Sequence, residues 1–537
     1  MLNPLLHPCQ CLPRCSKVLE RSAGWGTHGG EGTNPLVRES ACLPPGACIY
    51  TVTPETTRRA AGALRTFYFP SRTAGAMRAS ATGPPTRGDF MSTLEEFIRS
   101  RSITEVECLV PDMSGIARGK ILPAEKFLRI LRDRGLRLPE SIFVQTVTGE
   151  YPDDEDVTSS ENWDVYMIPD PDTIRAVPWY SEPTAQVICD CLYADGSPVD
   201  ISPRSVLKRV LALYEAKGWR PIVAPELEFY LVATNKDPDY PLVPPVGRSG
   251  RQESGRQAYG IDAVNEFDPI FEDVYEFCDK QDIDVDTMSH EAGAAQIEIN
   301  FNHGDALSLA DQVFLFKRTV REAAIRHQVY ATFMAKPMQN EPGSAMHVHQ
   351  SVVDRETGRN LFGAEDGSDT PMFLSFIAGL QKYLPYAMPL LAPNVNSYRR
   401  LVQGSDAPIN VHWGRDNRTT GFRVPVSPPE ARRVENRVAG ADANPYLAIA
   451  ASLACGYLGI AQELEPSDPV KGSAHRLAFS LPRHQADALA KFNACKPLKE
   501  ILGDRFIQAV SSVKQAEYEA YQRVISSWER ENLLLNV

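Results

Sequence analysis

Four short segments alternate between apolar and ionisable residues, and this pattern constrains the fold more than any other feature of the chain. They are residues 222–231, 296–302, 346–352 and 432–438. Because successive side chains of a strand point to opposite faces, each segment predicts a strand with one apolar and one polar face. The polar faces hold Glu226, Glu228, Glu298, His347, His349, Ser351, Arg433, Glu435 and Arg437, and Glu291 leads into the second segment. Together the segments predict an α+β protein with a half-buried, acid-rich sheet.

The acidic faces have two interpretations. Each strand taken alone is typical of a half-exposed sheet whose polar face is simply solvated. Four such strands in one chain favour a second interpretation, because assembled carboxylates repel one another unless cations bind between them. Oxygen ligands with one imidazole suit Mg²⁺ or Mn²⁺, whereas a structural zinc site would favour Cys and His. The six candidate ligands are Glu226, Glu228, Glu291, Glu298, His347 and Glu435, which is enough for two ions.

Arginines accompany the candidate metal ligands. They occur at Arg400, at Arg418 and Arg423, and at Arg433 and Arg437. Arginine offers planar, bidentate recognition of phosphate and carboxylate, and two metal ions beside arginines commonly handle phosphates. Any one of them taken alone could equally form a surface salt bridge. The chain contains no G-x-x-x-x-G-K-[ST] sequence, so a P-loop nucleotide site is not predicted.

Composition excludes several classes of protein. Hydrophobic residues make up 43% and charged residues 23% of the chain, which is typical of a globular protein and not of a disordered or collagen-like one. The net charge of −12 argues against nucleic acid as a partner. No stretch reaches about 18 strongly apolar residues, so no membrane span or membrane partner is expected, and residues 446–461 predict a buried helix. Scattered cysteines after residue 91 favour a reducing, cytoplasmic location.

Residues 1–90 differ in character from the rest of the chain. They contain ten basic and five acidic side chains and five of the eleven cysteines, without a helical or strand period. An Arg-rich start is compatible with an organelle transit peptide, and Cys9, Cys11 and Cys15 could bind a metal. We favour a disordered or non-native extension, with translation starting at Met91 or at Met77. Ser92 and Glu95 predict a capping box that starts a helix there.

The remainder predicts two domains. Residues 91–198 form a small α+β domain, with a strand, a turn at Asp112 and a second strand within 104–122, followed by a helix. The boundary falls in the Gly- and Pro-containing stretch 195–203, where Ser202 and Pro203 predict a helix start. Residues 199–537 form the second, larger domain, in which 242–260 predicts a long polar loop.

Several motifs occur in the order found in the glutamine synthetase family. They are Pro225-Glu-Leu-Glu-Phe229, Glu291 to Glu298, Lys336-Pro, Gly343-Ser-Ala-Met-His-Val-His349, Asn396-Ser-Tyr-Arg-Arg400, Asn417-Arg418, Arg433-Val-Glu435 and Asn444-Pro-Tyr-Leu447. The chain from Met91 to Val537 therefore resembles this family. The sequences of residues 392–400 and 437–446 most resemble its γ-glutamylpolyamine (γ-glutamylputrescine) synthetase branch.

The resemblance implies a fold and a reaction. The fold is an N-terminal β-grasp domain followed by a catalytic domain, in which an antiparallel sheet lines a two-metal site. Family members form double rings, often dodecamers, with active sites between neighbouring subunits. ATP phosphorylates the glutamate side chain, and an amine then displaces phosphate from the γ-glutamyl phosphate. The implied partners of this chain are glutamate, ATP, a small amine and further copies of itself.

The resemblance also implies residue roles. Glu228, Glu291 and Glu298 would hold the first Mg²⁺ or Mn²⁺, and Glu226, His347 and Glu435 the second. Arg400 would bind the glutamate carboxylate, with Gly343 nearby and Arg437 at the same end. Arg418, Arg423 and Arg433 would neutralise the transferred phosphate, and His349, Ser351 and Arg423 would lie on the ATP side.

Two departures from the family pattern concern the acceptor. Glutamine synthetases have a flap glutamate that shields the intermediate and deprotonates ammonium, and here the shorter Asp406 would take this catalytic role. The Asp-Gly-Ser-Ser loop that binds ammonium is replaced by residues 138–142, where Glu140 is a candidate substitute. The expected activity is therefore an ATP-dependent glutamate–amine ligase acting on a polyamine or other primary amine. The alternatives are an ammonia-dependent glutamine synthetase, an inactive structural homologue and a binuclear metal hydrolase.

Overall fold

A computed structural model of the chain describes residues 87–133, 135–154, 157 and 161–537, with the main chain alone for 87–90. The interpretations of residues 1–86, including the cysteine cluster and the transit peptide, lie outside the described residues. Within them the chain forms two sheets and fourteen α-helices. The two sheets follow one another along the sequence. The division into two domains at residues 198–199 and the β-grasp assignment stay predictions.

The first sheet has six strands and occupies the N-terminal part of the described chain. Its strands are β1 (Glu105–Pro111), β2 (Ala117–Pro123), β3 (Arg137–Pro139), β4 (Asp164–Pro169), β5 (Arg175–Val177) and β6 (Thr184–Leu192). The order is β2-β1-β6-β4-β3, with β5 also paired to β6. The predicted turn at Asp112 is present, and its carboxylate accepts hydrogen bonds from the main-chain N–H groups of Ser114 and Ile116.

The second sheet has nine strands and carries the predicted polar faces. Its strands are β7 (Trp219–Ala233), β8 (Val285–His290), β9 (Gln296–Phe301), β10 (Gly304–Asp305), β11 (Val329–Thr332), β12 (Met346–Asp354), β13 (Trp413–Arg415), β14 (Phe422–Val424) and β15 (Val434–Asn436). The main order is β13-β14-β15-β12-β7-β9-β8, and β10 and β11 pair with β7. All four alternating segments are therefore strands, and they are consecutive neighbours: β15, β12, β7 and β9.

Some of the fourteen helices of the described residues pack against the apolar side of this sheet. The helices are α1 (Arg87–Ser100), α2 (Ala124–Asp133), α3 (Pro203–Glu215), α4 (Ile261–Asn265), α5 (Asp268–Lys280), α6 (Ala306–Arg326), α7 (Pro371–Tyr383), α8 (Met388–Leu391), α9 (Ser397–Arg400), α10 (Pro445–Ala461), α11 (Gln485–Ala494), α12 (Lys496–Leu502), α13 (Asp504–Gln522) and α14 (Ser527–Leu533). Helices α3 and α6 lie on β7, and α10 packs on α3, α6 and α7. Leu227, Ile299 and Val348 are almost completely buried beneath these helices.

The predicted helix boundaries are partly right. Helix α3 begins at Pro203 as expected, and the buried helix predicted at 446–461 is α10. The capping prediction at Ser92 is wrong, because α1 begins at Arg87 and Ser92 lies inside it. A capping-box sequence marks a possible helix start, and it loses its meaning when the preceding residues are themselves helical.

One buried arginine ties the first sheet to the helices of the second. Arg204 on α3 donates to Asp190 on β6 at 2.7 Å and to Asp170 at 2.7 Å. It also forms two hydrogen bonds to Asp311 on α6, at 3.0 and 2.9 Å. The Tyr446 hydroxyl donates to the same Asp311 carboxylate at 2.6 Å. This cluster sets how α3, α6 and α10 sit against the first sheet.

None of the helices in the described residues combines the length and the apolar character needed to cross a lipid bilayer. Residues 242–260 contain neither helix nor strand, which confirms the predicted long loop. Cys189 and Cys191 are buried in β6. Burial raises the pKa of both thiols, so they pack in the core as the sequence indicated.

A candidate two-metal active site on the second sheet

The register of the second sheet brings the predicted ligands together. Glu226 on β7 stands opposite His347 on β12, and Glu228 on β7 stands opposite Glu298 on β9. Glu435 on β15 stands opposite His349 on β12. Directly opposite residues on one face have Cβ atoms about 4.5–5.5 Å apart. Four strands that are distant in sequence therefore place their ionisable side chains in one patch.

Two groups of possible metal ligands share His347. Glu226, His347 and Glu435 have ligand atoms within 4.8 Å of one another, and so do Glu228, Glu298 and His347. The first group matches the trio that the family resemblance assigned to the second ion. The second group contains two of the three residues assigned to the first ion, with His347 in place of Glu291. Among the described residues Glu291 belongs to neither group, because it lies in the turn before β9 and not on the strand.

The acidic side of the patch holds more negative charge than its surroundings balance. Burial, with the charge of Glu291 next in effect, raises the pKa of Glu228 to about 8. Burial and the charges of Glu226 and Glu228 raise the pKa of Glu298 to about 9. Burial also raises the pKa of Glu291. Carboxylates held in this way favour either a proton or a cation, so the donor set fits hard divalent ions.

The other side of the patch is balanced by histidines and arginines. Burial alone would raise the pKa of Glu226, but hydrogen bonds from His347 and His349 outweigh it and lower that pKa. His349 Nε2 lies 2.9 Å from Glu226 Oε1, and Arg433 Nε donates to His349 Nδ1 at 3.2 Å. These two partners place the ring proton on Nε2. Burial and the charge of Arg437 lower the pKa of His347 to about 4, which keeps its imidazole neutral and able to bind a metal.

Arg423 and Arg437 line the Glu435 end of the site, next to the Arg433 that donates to His349. Arg423 donates to Glu435 at 2.9 Å and to Asp416 at 2.8 Å, and Arg437 also donates to Glu435. Burial would raise the pKa of the fully buried Glu435, but the pKa is lowered, above all by the charge of Arg437. Ser351 is half-buried, two residues beyond His349 on the same face of β12. Fixed cations beside a metal group can neutralise a transferred phosphoryl group.

Arg400 and Gly343 are in direct contact, beside the Glu228 end. The buried Arg400 guanidinium donates to the main-chain carbonyls of Val438 at 2.8 Å and Arg437 at 3.0 Å. A Cβ at Gly343 would lie 2.6 Å from both Arg400 Cγ and the Ala335 carbonyl oxygen, so only glycine fits there. Burial lowers the pKa of Arg400 to about 10, which leaves it a cation at neutral pH.

Arg418 and Asp406 are the exposed members of the predicted set. Arg418 lies near enough to Glu291 for its charge to act on that carboxylate. Asp406 lies in the loop after α9 and is exposed, and its charge acts on Lys336. Asp406 belongs to neither ligand group among the described residues.

Glu140, the candidate ammonium-binding carboxylate, has hydrogen-bond partners within its own chain. It is buried at the start of a 3₁₀ helix, Glu140–Val144, where a loop was expected. Its carboxylate accepts from the Tyr193 hydroxyl at 2.6 Å and from Arg505 at 2.9 Å. Both partners bond to Oε1 of Glu140. The interpretation of Glu140 as an ammonium-binding substitute stays a prediction.

Two further residues support the site and were missed in the sequence. Asp442 accepts from Asn394 at 2.8 Å and from Ser397 at 2.6 Å, so it holds the segment that carries Arg400. Lys336 lies between the charges of Glu341, Arg256 and Asp406 at the loop side. Both residues occur in the motif runs quoted above, but a loop has no period that could reveal where its side chains point.

Comparisons with known proteins agree with this geometry. Residues 200–533 match the family model described as glutamine synthetase, catalytic domain. The chain is 35% identical over 436 residues to gamma-glutamylputrescine synthetase PuuA of Escherichia coli strain K12, a match that covers 80% of this chain and 92% of that protein. It is 32% identical over 448 residues to a glutamate–isopropylamine ligase of a Pseudomonas species, covering 81% and 96%.

A solved structure shows the same fold. The structure titled "Apo GmaS without ligand" superimposes with a TM-score of 0.70 at 27% identity, covering 82% of this chain and 98% of that one. The motifs quoted from the sequence and the matched family model cover the same strands and loops. The chain therefore belongs to the glutamine synthetase family of ATP-dependent ligases.

Proposed function

We propose that the protein joins the γ-carboxylate of glutamate to a primary amine or polyamine at the expense of ATP, through a γ-glutamyl phosphate. The observation that carries this proposal is the pair of ligand groups around His347 with Arg423, Arg433 and Arg437 beside them. Two Mg²⁺ or Mn²⁺ ions held there would screen the charge of ATP and the acyl phosphate. Membership of the family and the names of its amine-using relatives support the same reaction.

The residues have the following proposed roles. Glu226 and Glu435 share one ion with His347, while Glu228 and Glu298 hold the other with Glu291 at its edge. Arg400, packed on Gly343, and Arg437 orient the glutamate carboxylates. Arg418, Arg423 and Arg433 neutralise the transferred phosphate, and His349 and Ser351 face the nucleotide. Cations already fixed in place cost no reorganisation when charge develops on the phosphate.

The acceptor is proposed to be an organic amine, and two observations favour it over ammonium. Glu140, the candidate ammonium-binding carboxylate, already accepts hydrogen bonds from Tyr193 and Arg505 at Oε1. Asp406 is one methylene shorter than the flap glutamate and lies in an exposed loop, which leaves more room for an alkyl group. Asp406 would then shield the intermediate and accept the proton that the attacking amine loses.

The remaining proposals concern the whole protein. We propose that residues 91–198 are a β-grasp domain and that the chain assembles into a double ring, as a dodecamer. A cytoplasmic location fits the scattered, buried cysteines. Sedimentation of the purified protein gives its mass directly and tests the assembly, and a monomer would contradict it.

The experiment that tests the reaction measures phosphate release from ATP with Mg²⁺ and glutamate. Ammonium is compared with putrescine, ethanolamine, isopropylamine and methylamine at equal concentration, and the γ-glutamyl product is identified by mass spectrometry. We expect kcat/KM for at least one organic amine to exceed that for ammonium by more than tenfold. Ammonium as the preferred acceptor would make the protein a glutamine synthetase in which Asp406 replaces the longer glutamate.

A matched pair of variants distinguishes phosphate release at this site from the activity of a contaminating enzyme. Glu435→Gln removes a fully buried carboxylate from the ligand group, and Glu215→Gln removes an exposed carboxylate on α3. We expect Glu435→Gln to lower kcat by at least a hundredfold and Glu215→Gln to leave it unchanged. No phosphate release by the unmodified protein with any amine would overturn the ligase proposal and favour the inactive homologue.

A further inference from the structure

A buried amide lies behind the candidate metal ligand Glu228. Gln296 is the first residue of β9 and is 1% exposed, and its register partner on β7 is Tyr230. Because side chains alternate, Gln296 and Glu298 share the polar face of β9, so Gln296 sits diagonally beside Glu228. The family motifs quoted from the sequence give it no role of its own.

The amide joins three separate segments of the site. Its nitrogen Nε2 donates to Glu228 Oε2 at 3.3 Å and to the Gly343 carbonyl oxygen at 3.1 Å. Its oxygen Oε1 accepts from the main-chain N–H of Gly293 at 2.9 Å and from the Tyr230 hydroxyl at 3.1 Å. One side chain therefore contacts β7, the segment that packs on Arg400 and the turn that follows Glu291.

The polarity of these contacts fixes which way Glu228 is held. Oε2 of Glu228 accepts from Gln296 and from the main-chain N–H of Ala345, at 2.8 Å in the second case. Among the hydrogen bonds of the described residues none reaches Oε1, so this oxygen is left for a cation. Metal-binding carboxylates are usually held in this way, with a protein donor on one oxygen.

The neighbouring glycine shows how tightly the cluster is packed. A Cβ at Gly293 would lie 1.9 Å from the Tyr230 hydroxyl oxygen and 2.7 Å from Gln296 Oε1. The Tyr230 hydroxyl oxygen also lies 2.9 Å from the Pro342 carbonyl oxygen, so its single proton is shared between that carbonyl and Gln296 Oε1. A close contact of this kind leaves the Gln296 amide little freedom to rotate.

We propose that Gln296 is a positioning residue, which orients Glu228 toward its metal ion and couples that ligand to the Gly343 and Gly293 segments. The inference rests on the proposed function, because it takes Glu228 as a metal ligand. Gln296 itself touches neither the ion nor the reacting atoms. Loss of its amide should therefore weaken metal binding and glutamate binding together, even in protein that remains folded.

The test compares Gln296→Met with Gln350→Met in the full-length protein. Gln350 on β12 is equally buried, but it faces the helices, where its amide donates to Ser452 on α10 at 2.7 Å. Both changes keep most of the side-chain volume and remove a buried amide. The dissociation constant for Mn²⁺ is measured by titration calorimetry, and kcat and the KM for glutamate are measured with Mg²⁺.

We expect Gln296→Met to weaken Mn²⁺ binding ten- to a hundredfold and to raise the KM for glutamate, about the usual effect of removing a hydrogen-bond partner of a metal ligand. Gln350→Met should change the Mn²⁺ dissociation constant less than twofold, although it lowers the melting temperature. Equal Mn²⁺ affinities in the two variants would overturn the inference and reduce Gln296 to a packing residue.

A milder variant covers the case in which Gln296→Met does not fold. Tyr230→Phe removes only the hydroxyl that donates to Gln296 Oε1, and a two- to fivefold loss of Mn²⁺ affinity is expected. Unchanged affinity would count against the inference. If the unmodified protein binds Mn²⁺ but releases no phosphate with any amine, the ligase proposal fails while the Gln296 comparison still decides the positioning role.

Discussion

Three carboxylates of the site lower the stability of the metal-free protein and thereby favour metal binding. Glu228, Glu291 and Glu298 lie close together, mostly buried, and each has a raised pKa because burial disfavours its charge. A fold that gathers such groups is less stable without a cation than one with neutral side chains in the same places. The unfavourable energy of the metal-free site is therefore part of what makes it bind ions.

Replacement of Glu298 by Gln tests this link between the stability of the metal-free protein and metal binding. We expect Glu298→Gln to raise the free energy of unfolding of the metal-free protein by about 1–2 kcal/mol, because the amide is neutral without the proton that Glu298 must take up to be buried at neutral pH. The same change should reduce the increase in melting temperature that saturating Mg²⁺ produces. Both are measured by thermal unfolding with EDTA and with Mg²⁺.

The exposed Glu215→Gln should alter neither quantity in that experiment. A lower metal-free stability in Glu298→Gln, with an unchanged response to Mg²⁺, would contradict the assignment of Glu298 as a ligand.

The pH dependence of the metal-free protein follows from the same carboxyl. The pKa of Glu298 is about 9 in the folded protein against an ordinary value of 4.5. A folded pKa above the unfolded value gives a contribution that is complete below the unfolded pKa and is lost as pH rises through the folded one. We therefore expect the metal-free protein to lose stability relative to Glu298→Gln between pH 5 and pH 9. Chemical denaturation of both proteins in EDTA at four pH values measures this difference.

Saturating Mg²⁺ should make the difference in stability between the two proteins less dependent on pH, since a bound cation replaces the proton. A difference that stays constant with pH in EDTA would show that Glu298 is ionised throughout.

At the scale of elements, the buried Arg204 cluster determines how the first sheet meets the helices. Arg204 bonds to Asp170, Asp190 and Asp311, and these belong to the N-terminal sheet region and to α6. We expect Arg204→Met to lower the free energy of unfolding by about 3–5 kcal/mol, because it leaves buried carboxylates without a partner. Urea denaturation followed by circular dichroism measures the loss.

A neighbouring residue on the same helix supplies the control. Lys208, one turn along α3, pairs with Asp190 and with no other carboxylate of the described residues, and its side chain is 40% exposed. Lys208→Met should cost less than about 1 kcal/mol, as exposed ion pairs usually do. Equal losses in the two variants would mean that the cluster acts through surface charge and not through burial.

At the scale of the whole molecule, the candidate site depends on residues far from the start of the chain. Leu94 and Ile98 of α1 are buried, and the ligand groups lie between Glu226 and Glu435. We expect a chain that starts at Met91 to keep its kcat/KM within twofold, because it retains these contacts. Steady-state kinetics and thermal unfolding of the shortened and full-length proteins provide the measurement.

A chain that starts at Ile103 is the matched control, because it lacks α1 and with it both buried residues. It should unfold at a lower temperature than the chain that starts at Met91. A large loss of activity on removing residues 1–90 alone would show that the extension contributes to the enzyme.

The sequence by itself determined the local structure of the site. Alternation over four to ten residues is a local signal, so the polar and apolar faces of β7, β9, β12 and β15 followed from side-chain geometry. The same faces predicted hard-cation ligands, because only the residue types were needed for that argument. The buried helix α10 could be predicted for the same reason. The start of α1 could not, since a capping pattern indicates only one of several possible starts.

The tertiary structure decided which distant residues meet. Strand order placed Glu435 beside His349, and it put His347 in both ligand groups while Glu291 lies at their edge. It also paired Glu140 with Arg505, 365 residues along the chain, a contact that the motif alone did not predict. The Gln296 amide gained its partners in the same way. Contacts of this kind have no period in the sequence, because they depend on how the sheet and helices pack as one body.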